Sequence, residues 1–145
     1  MKILFVCRGN VGRSQMAEAL FVQMTGTSHE VRSAGTKVMT KEGESRHGQL
    51  LRDLEGAEHV IDSLGARNLN VADNMRTQLD PALVEWADKI VVMAEPHTIP
   101  DYLEHSDKTV YWDIADPKGT SLEEHVRVLG EIEGKVKEFI KENNF

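Results

Sequence analysis

The sequence predicts an α/β fold, a single three-layer domain over residues 1–145 in which a four-stranded parallel sheet is flanked by helices. Short apolar segments typical of buried strands alternate with longer segments whose apolar residues recur at helical spacing. The length of 145 residues suits one domain, and such a domain buries roughly two-thirds of the surface of its unfolded chain. The sequence does not indicate an oligomeric state.

The amino-terminal unit reads as a strand, a glycine loop and a helix. Residues 3–7 form a continuous apolar run, which is typical of a strand buried on both faces of a sheet. Gly9 and Gly12 follow in the loop, Ser14 is predicted to cap the helix, and Gly26 is predicted to end it.

The same alternation continues to the end of the chain. The remaining predicted elements are a strand at 29–34, one or two helical pieces between 50 and 64, a helix from Asp80-Pro81, a strand at 89–93, a helical piece at 97–104, a strand at 109–112 and a helix from a capping-box sequence at Ser121. The loops after strands 1, 3 and 4 are predicted to share one edge of the sheet. Residues 37–70 carry no functional prediction.

Composition excludes several classes of function. Asp and Glu number 24 against 17 Lys and Arg, and a net charge of −7 argues against a general nucleic-acid binder. No apolar run is long enough for a membrane span or a signal peptide. The single cysteine excludes an internal disulfide and a cysteine-rich metal site, so we expect a reducing, cytoplasmic location.

One loop carries the residue types of an anion site. Residues 7–14 read Cys-Arg-Gly-Asn-Val-Gly-Arg-Ser and run from a buried strand into a helix N-terminus, where free N–H groups and the helix dipole attract anions. The glycines let the backbone approach a ligand closely. The predicted phosphate-binding residues of this P-loop are Arg8, Gly9, Asn10, Val11, Gly12, Arg13 and Ser14.

Cys7 is the candidate nucleophile of this loop. Positive potential can lower a cysteine pKa from about 8.5 towards roughly 3.5–7.5, and the thiolate is the reactive form. Arg13 can bind two phosphate oxygens through its planar guanidinium. A Walker loop is excluded because it needs Gly and Lys at the places of Cys7 and Arg13, and the glycine spacing is too short for a dinucleotide fingerprint.

The motif Val6-Cys7-Arg8-Gly9-Asn10-Val11-Gly12-Arg13-Ser14 resembles the signature of low-molecular-weight protein tyrosine phosphatases and the related arsenate reductases. Three further segments are similar to that family. They are Ser33-Ala34-Gly35-Thr36 after the second strand, residues 88–93 at the third strand, and Trp112-Asp113-Ile114-Ala115-Asp116-Pro117. The order of these segments agrees with the family along nearly the whole chain.

The resemblance implies a role for each matching residue. Cys7 would form a phosphocysteine intermediate, Arg13 would hold the phosphate oxygens, and Asp116 would protonate the leaving oxygen and then activate water. Three residues would support the loop: Asn10, Ser14 and Ser33. Asp113 is a reserve candidate for the acid. The scheme requires no metal and no cofactor.

This chain also departs from the family pattern. Gly12 stands where many relatives carry a second cysteine, and the relay cysteines of arsenate reductases are absent. A family histidine is replaced by Asn74 or Asp73, and the aromatic residues that flank a phosphotyrosine ring in many relatives are missing. These departures weaken the case for phosphotyrosine.

The sequence therefore predicts a cysteine-dependent phosphatase acting on a phosphomonoester, with protein phosphotyrosine as the first substrate to consider. The expected partners are a phosphorylated protein or a small phosphomonoester, and neither nucleic acid nor a membrane. Two alternatives stay open: an arsenate reductase that uses an external thiol, and a non-catalytic oxyanion-binding module.

Overall fold

The computed structural model describes residues 1–145 and contains a four-stranded, all-parallel sheet with the strand order β2-β1-β3-β4. The strands are β1 (Lys2–Cys7), β2 (Glu30–Gly35), β3 (Lys89–Val92) and β4 (Thr109–Tyr111). The predicted α/β class and the four predicted strands are confirmed, with bounds that shift by one residue.

Five α-helices flank the sheet: α1 (Arg13–Thr25), α2 (Glu58–Gly65), α3 (Pro81–Trp86), α4 (Asp101–Glu104) and α5 (Leu122–Glu142). Short 3₁₀ turns at Leu51–Asp53 and Pro96–Thr98 complete the helical pieces that the apolar spacing predicts. None of these helices combines the length and the apolar character needed to cross a membrane.

The central strand β1 separates two cores. Ile3, Phe5 and Cys7 face one of them, while Leu4 and Val6 face the other, as the two-residue repeat of a strand requires. Helices α1 and α5 pack together on the first side, and α3 and α4 pack together on the second. All five side chains are almost fully buried, so the prediction of a strand covered on both faces is confirmed.

The prediction that Ser14 caps the first helix is wrong. Gly12 occupies the cap position of α1 and Ser14 lies inside the first turn, where its hydroxyl contacts the sulfur of Cys7 and accepts a hydrogen bond from Asn10 instead of capping the helix. Asp80 and Ser121 do cap α3 and α5. Each side-chain oxygen accepts a hydrogen bond from the backbone N–H three residues later, at 2.9 and 3.2 Å.

The end of β2 touches the loop that follows β1. Gly35 pairs with Cys7 in the parallel register, and a Cβ atom at Gly35 would lie 2.6 Å from the Arg8 carbonyl oxygen and 2.9 Å from the Asn10 nitrogen. Only a residue without a side chain leaves the phosphate-loop backbone in place. Gly35 therefore allows the end of β2 to pack directly against the loop that follows β1.

We predict that Gly35→Ala lowers the free energy of unfolding by about 1–3 kcal/mol, because the added methyl group meets backbone atoms that have little freedom to move. Gly134→Ala is the control. Gly134 is exposed in α5 and no atom lies near the position that a Cβ would take there, so alanine should stabilise the helix by about 0.5–1 kcal/mol. Chemical denaturation measures both, and equal stability of Gly35→Ala and wild type would contradict the crowding argument.

Candidate active site

In the loop between β1 and α1 the carbonyl groups are hydrogen-bonded within the protein, whereas the N–H groups are unpaired. The carbonyls of Cys7 and Arg8 accept hydrogen bonds from the N–H groups of Thr36 and Lys37 at 2.9 and 2.8 Å. The next two carbonyls, of residues 9 and 10, accept hydrogen bonds from side chains. None of the backbone N–H groups of residues 9–12 donates a hydrogen bond within the protein. These groups are available to an anion.

Asn10 fixes the shape of the loop. Its backbone is left-handed with φ of 54°, a conformation that asparagine tolerates better than most residues. Its Nδ2 donates to the hydroxyls of Ser14 at 2.7 Å and Ser33 at 3.1 Å, and its Oδ1 accepts from the N–H of Thr77 at 2.8 Å. The buried amide thus ties the loop to α1, to β2 and to the segment before α3.

Cys7 lies at the base of the loop. Its side chain is buried, and its Sγ lies 3.0 Å from the Ser14 hydroxyl. Because that hydroxyl already accepts a hydrogen bond from Asn10, its own proton is free to be donated to the sulfur. A thiolate at Cys7 would be stabilised by this donation.

Two buried arginines add positive charge near Cys7. Burial lowers the pKa of Arg76, and the negative charge of a Cys7 thiolate opposes that lowering. Arg76 also donates from Nε to the Gly9 carbonyl at 3.0 Å and from Nη1 to the Gln49 side chain at 2.8 Å. It therefore braces the loop and contributes to its electrostatic potential.

Four hydrogen bonds hold the Arg13 guanidinium in place. Its Nη1 donates to the carbonyls of Met93 at 2.6 Å and Ile114 at 3.0 Å, and its Nη2 donates to both carboxylate oxygens of Glu95 at 2.8 and 3.1 Å. Burial alone would lower the pKa of Arg13, but the hydrogen bond to Glu95 and the negative charges around it raise that pKa. Its Nε has no partner within the protein and remains free for a ligand.

The loop after β4 brings Asp116 to the same place. Its Oδ2 lies 3.6 Å from the Arg13 Nη2, and its Oδ1 accepts a hydrogen bond from the N–H of Lys118 at 3.0 Å. The side chain is 41% exposed, so a ligand in the loop could reach it. Asp113 is also exposed, but it forms no ion pair with Arg13. The structure therefore places Asp116 beside Arg13 and gives Asp113 no such contact.

Ser33 connects the loop to a half-buried acid. Its hydroxyl accepts from Asn10 and donates to Glu18 Oε1 at 2.9 Å. Burial raises the pKa of Glu18, although the Ser33 hydrogen bond opposes the rise. The predicted support residues Asn10, Ser14 and Ser33 thus form one hydrogen-bonded chain that starts at Cys7 and ends at Glu18.

Of the two residues expected to replace a family histidine, Asn74 lies closer to the hydrogen bonds of the loop. Its Nδ2 donates to Gln15 Oε1 at 3.1 Å, and Gln15 Nε2 donates to the Asn10 carbonyl at 3.2 Å. Asp73 instead forms an ion pair with Arg52. Asn74 therefore supports the loop through Gln15, whereas Asp73 does not.

Sequence reasoning missed four residues of this site: Gln15, Glu18, Arg76 and Glu95. Glu95 could have been found, because it follows β3 at the edge where the functional loops are predicted to meet. Arg76 carries no local signal, since it lies in an irregular segment whose path only the tertiary structure reveals.

Nearly the whole chain matches a known protein family. Residues 2–144 match the family described as low molecular weight phosphotyrosine protein phosphatase. This chain belongs to that family.

Proteins similar to this chain are named for different activities. An arsenate reductase of Bacillus cereus is 30% identical over 143 residues, which cover 94% of this chain and 92% of the relative. The YwlE arginine phosphatase from Geobacillus stearothermophilus is 27% identical with a TM-score of 0.79, covering 99% and 92% of the two chains. A low molecular weight protein tyrosine phosphatase from T. tengcongensis is 26% identical with a TM-score of 0.77, covering 98% and 99%.

The raised pKa of Glu18 predicts a pH-dependent stability. The pKa of Glu18 in the folded protein lies above the ordinary value of 4.5. The contribution of Glu18 to the free energy of unfolding is therefore fully present below pH 4.5 and is lost as the pH rises through the folded-state pKa. Glu18→Gln removes this titration and keeps an oxygen that accepts from Ser33. Its stability relative to wild type should therefore increase with pH above 4.5 and then level off.

Urea denaturation at a series of pH values measures this difference. Glu138→Gln serves as the control because Glu138 is exposed on α5 and makes no hydrogen bond or ion pair within the protein. A stability difference for Glu18→Gln that is constant between pH 4 and pH 8 would contradict the buried-carboxylate argument.

Proposed function

We propose that this member of the family is a phosphatase that hydrolyses a phosphomonoester through a phosphocysteine intermediate at Cys7. The observation that carries the proposal is the convergence at one sheet edge of a buried sulfur, a loop with unpaired N–H groups, the guanidinium of Arg13 and the carboxyl of Asp116. This arrangement supplies a nucleophile, an oxyanion site and a proton donor.

The first half-reaction follows from these groups. The N–H groups of residues 9–12 and Arg13 bind the phosphoryl oxygens, and the Cys7 thiolate attacks phosphorus in line with the leaving oxygen. The S–P bond forms as the P–O bond breaks, and the protonated Asp116 gives its proton to the leaving oxygen.

The second half-reaction returns the enzyme to its starting state. Ionised Asp116 takes a proton from a water molecule, whose oxygen attacks phosphorus and displaces the sulfur. The S–P bond breaks, inorganic phosphate leaves, and the Ser14 hydroxyl stabilises the thiolate that forms. A relative supports this scheme: a cysteine-to-serine variant of the YwlE arginine phosphatase, 26% identical with a TM-score of 0.75, carries a phosphorylated active-site serine.

Protein phosphotyrosine is the first substrate proposed, because it is the substrate in the description of the family. The surroundings of Gly12 are small and apolar, with Val60 and Pro117 nearest to it. These side chains offer limited packing for a ring. The lone unprotected thiol of Cys7 suits a reducing compartment such as the cytoplasm.

Phosphoarginine is a second candidate, and the carboxylates at the mouth of the site favour it. In this phosphoramidate the P–N bond would break as the S–P bond forms, and Asp116 would protonate the leaving nitrogen. The carboxylates of Glu95 and Asp116 lie 2.8 and 3.6 Å from the Arg13 Nη2, beside the place where the phosphoryl group would bind. A substrate whose phosphate is carried by a guanidinium brings positive charge to these carboxylates, whereas a tyrosine ring brings none. The likeness to the YwlE arginine phosphatase supports the same candidate.

Arsenate reduction is the activity named for the Bacillus cereus relative. Cys7 is the only cysteine of this chain, so an arsenate adduct at its sulfur could be resolved only by an external thiol. A non-catalytic oxyanion-binding module would bind phosphate and turn over none of these substrates.

Steady-state kinetics on three substrates separate these functions. We predict turnover of a phosphotyrosine peptide or a phosphoarginine peptide by the wild type, and loss of that turnover in Cys7→Ser, which retains the loop but lacks the thiolate. Arsenite release that requires added thioredoxin or dithiothreitol, without phosphatase turnover, would establish the reductase. Phosphate binding without either activity would establish the binding module.

We also predict that Asp116→Asn lowers kcat by about 10²–10⁴ for phosphomonoesters with poor leaving groups, because it removes the proton donor. The loss should be far smaller for p-nitrophenyl phosphate, whose leaving group needs little protonation. Asp113→Asn is the matched control and should stay close to wild type on both. The reverse ranking of the two variants would assign the acid to Asp113.

A further inference from the structure

We propose that Glu95 is a positioning residue that holds the Arg13 guanidinium and thereby keeps Asp116, the proposed acid, out of a hydrogen-bonded ion pair with Arg13. The inference rests on the proposed phosphatase function and concerns the juxtaposition of two carboxylates at one guanidinium nitrogen. Glu95 lies outside the loop motif of residues 7–14.

The two carboxylates compete for the same donor. The Nη1 hydrogens of Arg13 are taken by two backbone carbonyls, so a carboxylate can reach this guanidinium only through Nη2 or Nε. Glu95 contacts Nη2 with both oxygens at hydrogen-bond distance, whereas the nearest oxygen of Asp116 lies at 3.6 Å, where it keeps an ionic attraction to Arg13 but makes no hydrogen bond. Glu95 therefore occupies the position that Asp116 would otherwise take.

This competition matters because of what Asp116 must do. A carboxyl group that donates a proton to a leaving oxygen must be protonated when substrate is bound. A nearby guanidinium favours the ionised form of a carboxyl group, and a hydrogen bond from that guanidinium to the carboxylate adds to the effect. A direct hydrogen bond from Arg13 to Asp116 would therefore work against the proton transfer that the acid must perform.

Glu95 is placed for this role by its backbone. It directly precedes the 3₁₀ turn Pro96–Thr98, and its carbonyl accepts hydrogen bonds from the N–H and the hydroxyl of Thr98 at 2.9 and 2.8 Å. The buried Thr98 hydroxyl is in turn bonded to that of Thr36 at 2.9 Å, beyond the end of β2. Asp116 lies in the loop after β4, where its carboxylate accepts a single hydrogen bond, from the N–H of Lys118. The anchored carboxylate is thus the one that pairs with Arg13.

The charge state of Glu95 agrees with this role. Burial alone would raise its pKa, but the hydrogen bond and the charge of Arg13, with a smaller effect of Arg8, lower the pKa below its ordinary value. Glu95 therefore stays ionised at neutral pH and remains paired with Arg13.

The experiment replaces Glu95 by Gln, which keeps the shape of the side chain and removes its charge. We expect Asp116 to become the only carboxylate paired with Arg13, so the basic limb of the kcat–pH profile shifts to lower pH by about one unit or more. At pH 7 the loss of kcat should be larger for poor leaving groups than for p-nitrophenyl phosphate. Glu104→Gln, an equal change of charge at an exposed residue of α4, should leave the profile unchanged.

A double-mutant cycle separates positioning of Asp116 from simple support of Arg13. If Glu95 acts through Asp116, Glu95→Gln should have little further effect in the Asp116→Asn background. A loss of activity that is equal for all leaving groups and persists in that background would overturn the proposal.

A readout without turnover keeps this inference distinct from the proposed function. Carbon-13 NMR titration of the Asp116 carboxyl, in wild type and in Glu95→Gln without substrate, should show that this carboxyl ionises at lower pH in the variant. Identical titration curves would overturn the role of Glu95 even in an active enzyme. Absence of phosphatase turnover in the wild type would overturn the proposed function alone.

Discussion

The site depends on where four consecutive carbonyl groups find their hydrogen bonds. The carbonyls of residues 7–10 are bonded to the backbone beyond β2 and to the side chains of Arg76 and Gln15, and the loop N–H groups that follow stay unpaired. A backbone with its acceptors satisfied and its donors free is an anion receptor. Asn10 completes the arrangement, since its left-handed backbone and its amide side chain hold the loop in that shape.

The sequence predicts those features that depend on residues close together along the chain. The apolar run of β1 and the spacing of α1 and α5 indicate the sheet and its helices, and the residues 7–14 motif indicates an anion site at their junction. Ser14 shows the limit of local rules, because a serine near a helix start is typical of a cap and here binds the sulfur instead. A cap preference of about 1 kcal/mol is easily overridden by a tertiary partner.

The residues that sequence reasoning missed share a physical cause. Arg76 and Glu95 form hydrogen bonds to residues 67 and 82 positions away, and Gln15 accepts one from Asn74, 59 positions away. No periodicity encodes such contacts. Glu95 differs from the other two, because the parallel topology already places the end of β3 beside the end of β1. Polar residues just after each strand of a parallel sheet are therefore candidates even when no motif contains them.

The hydrogen bonds that assemble the site join residues far apart in sequence, and this separation affects when activity appears during folding. Arg13 is held by residues 80 to 101 positions away, and Asn10 by residues 23 and 67 positions away. Closing loops of that length is slow relative to helix formation, so the receptor forms late, after the sheet is assembled. A partly folded chain would contain β1 and α1 without a competent pocket. Recovery of catalysis would then mark completion of the native topology, whereas helical signal would return earlier.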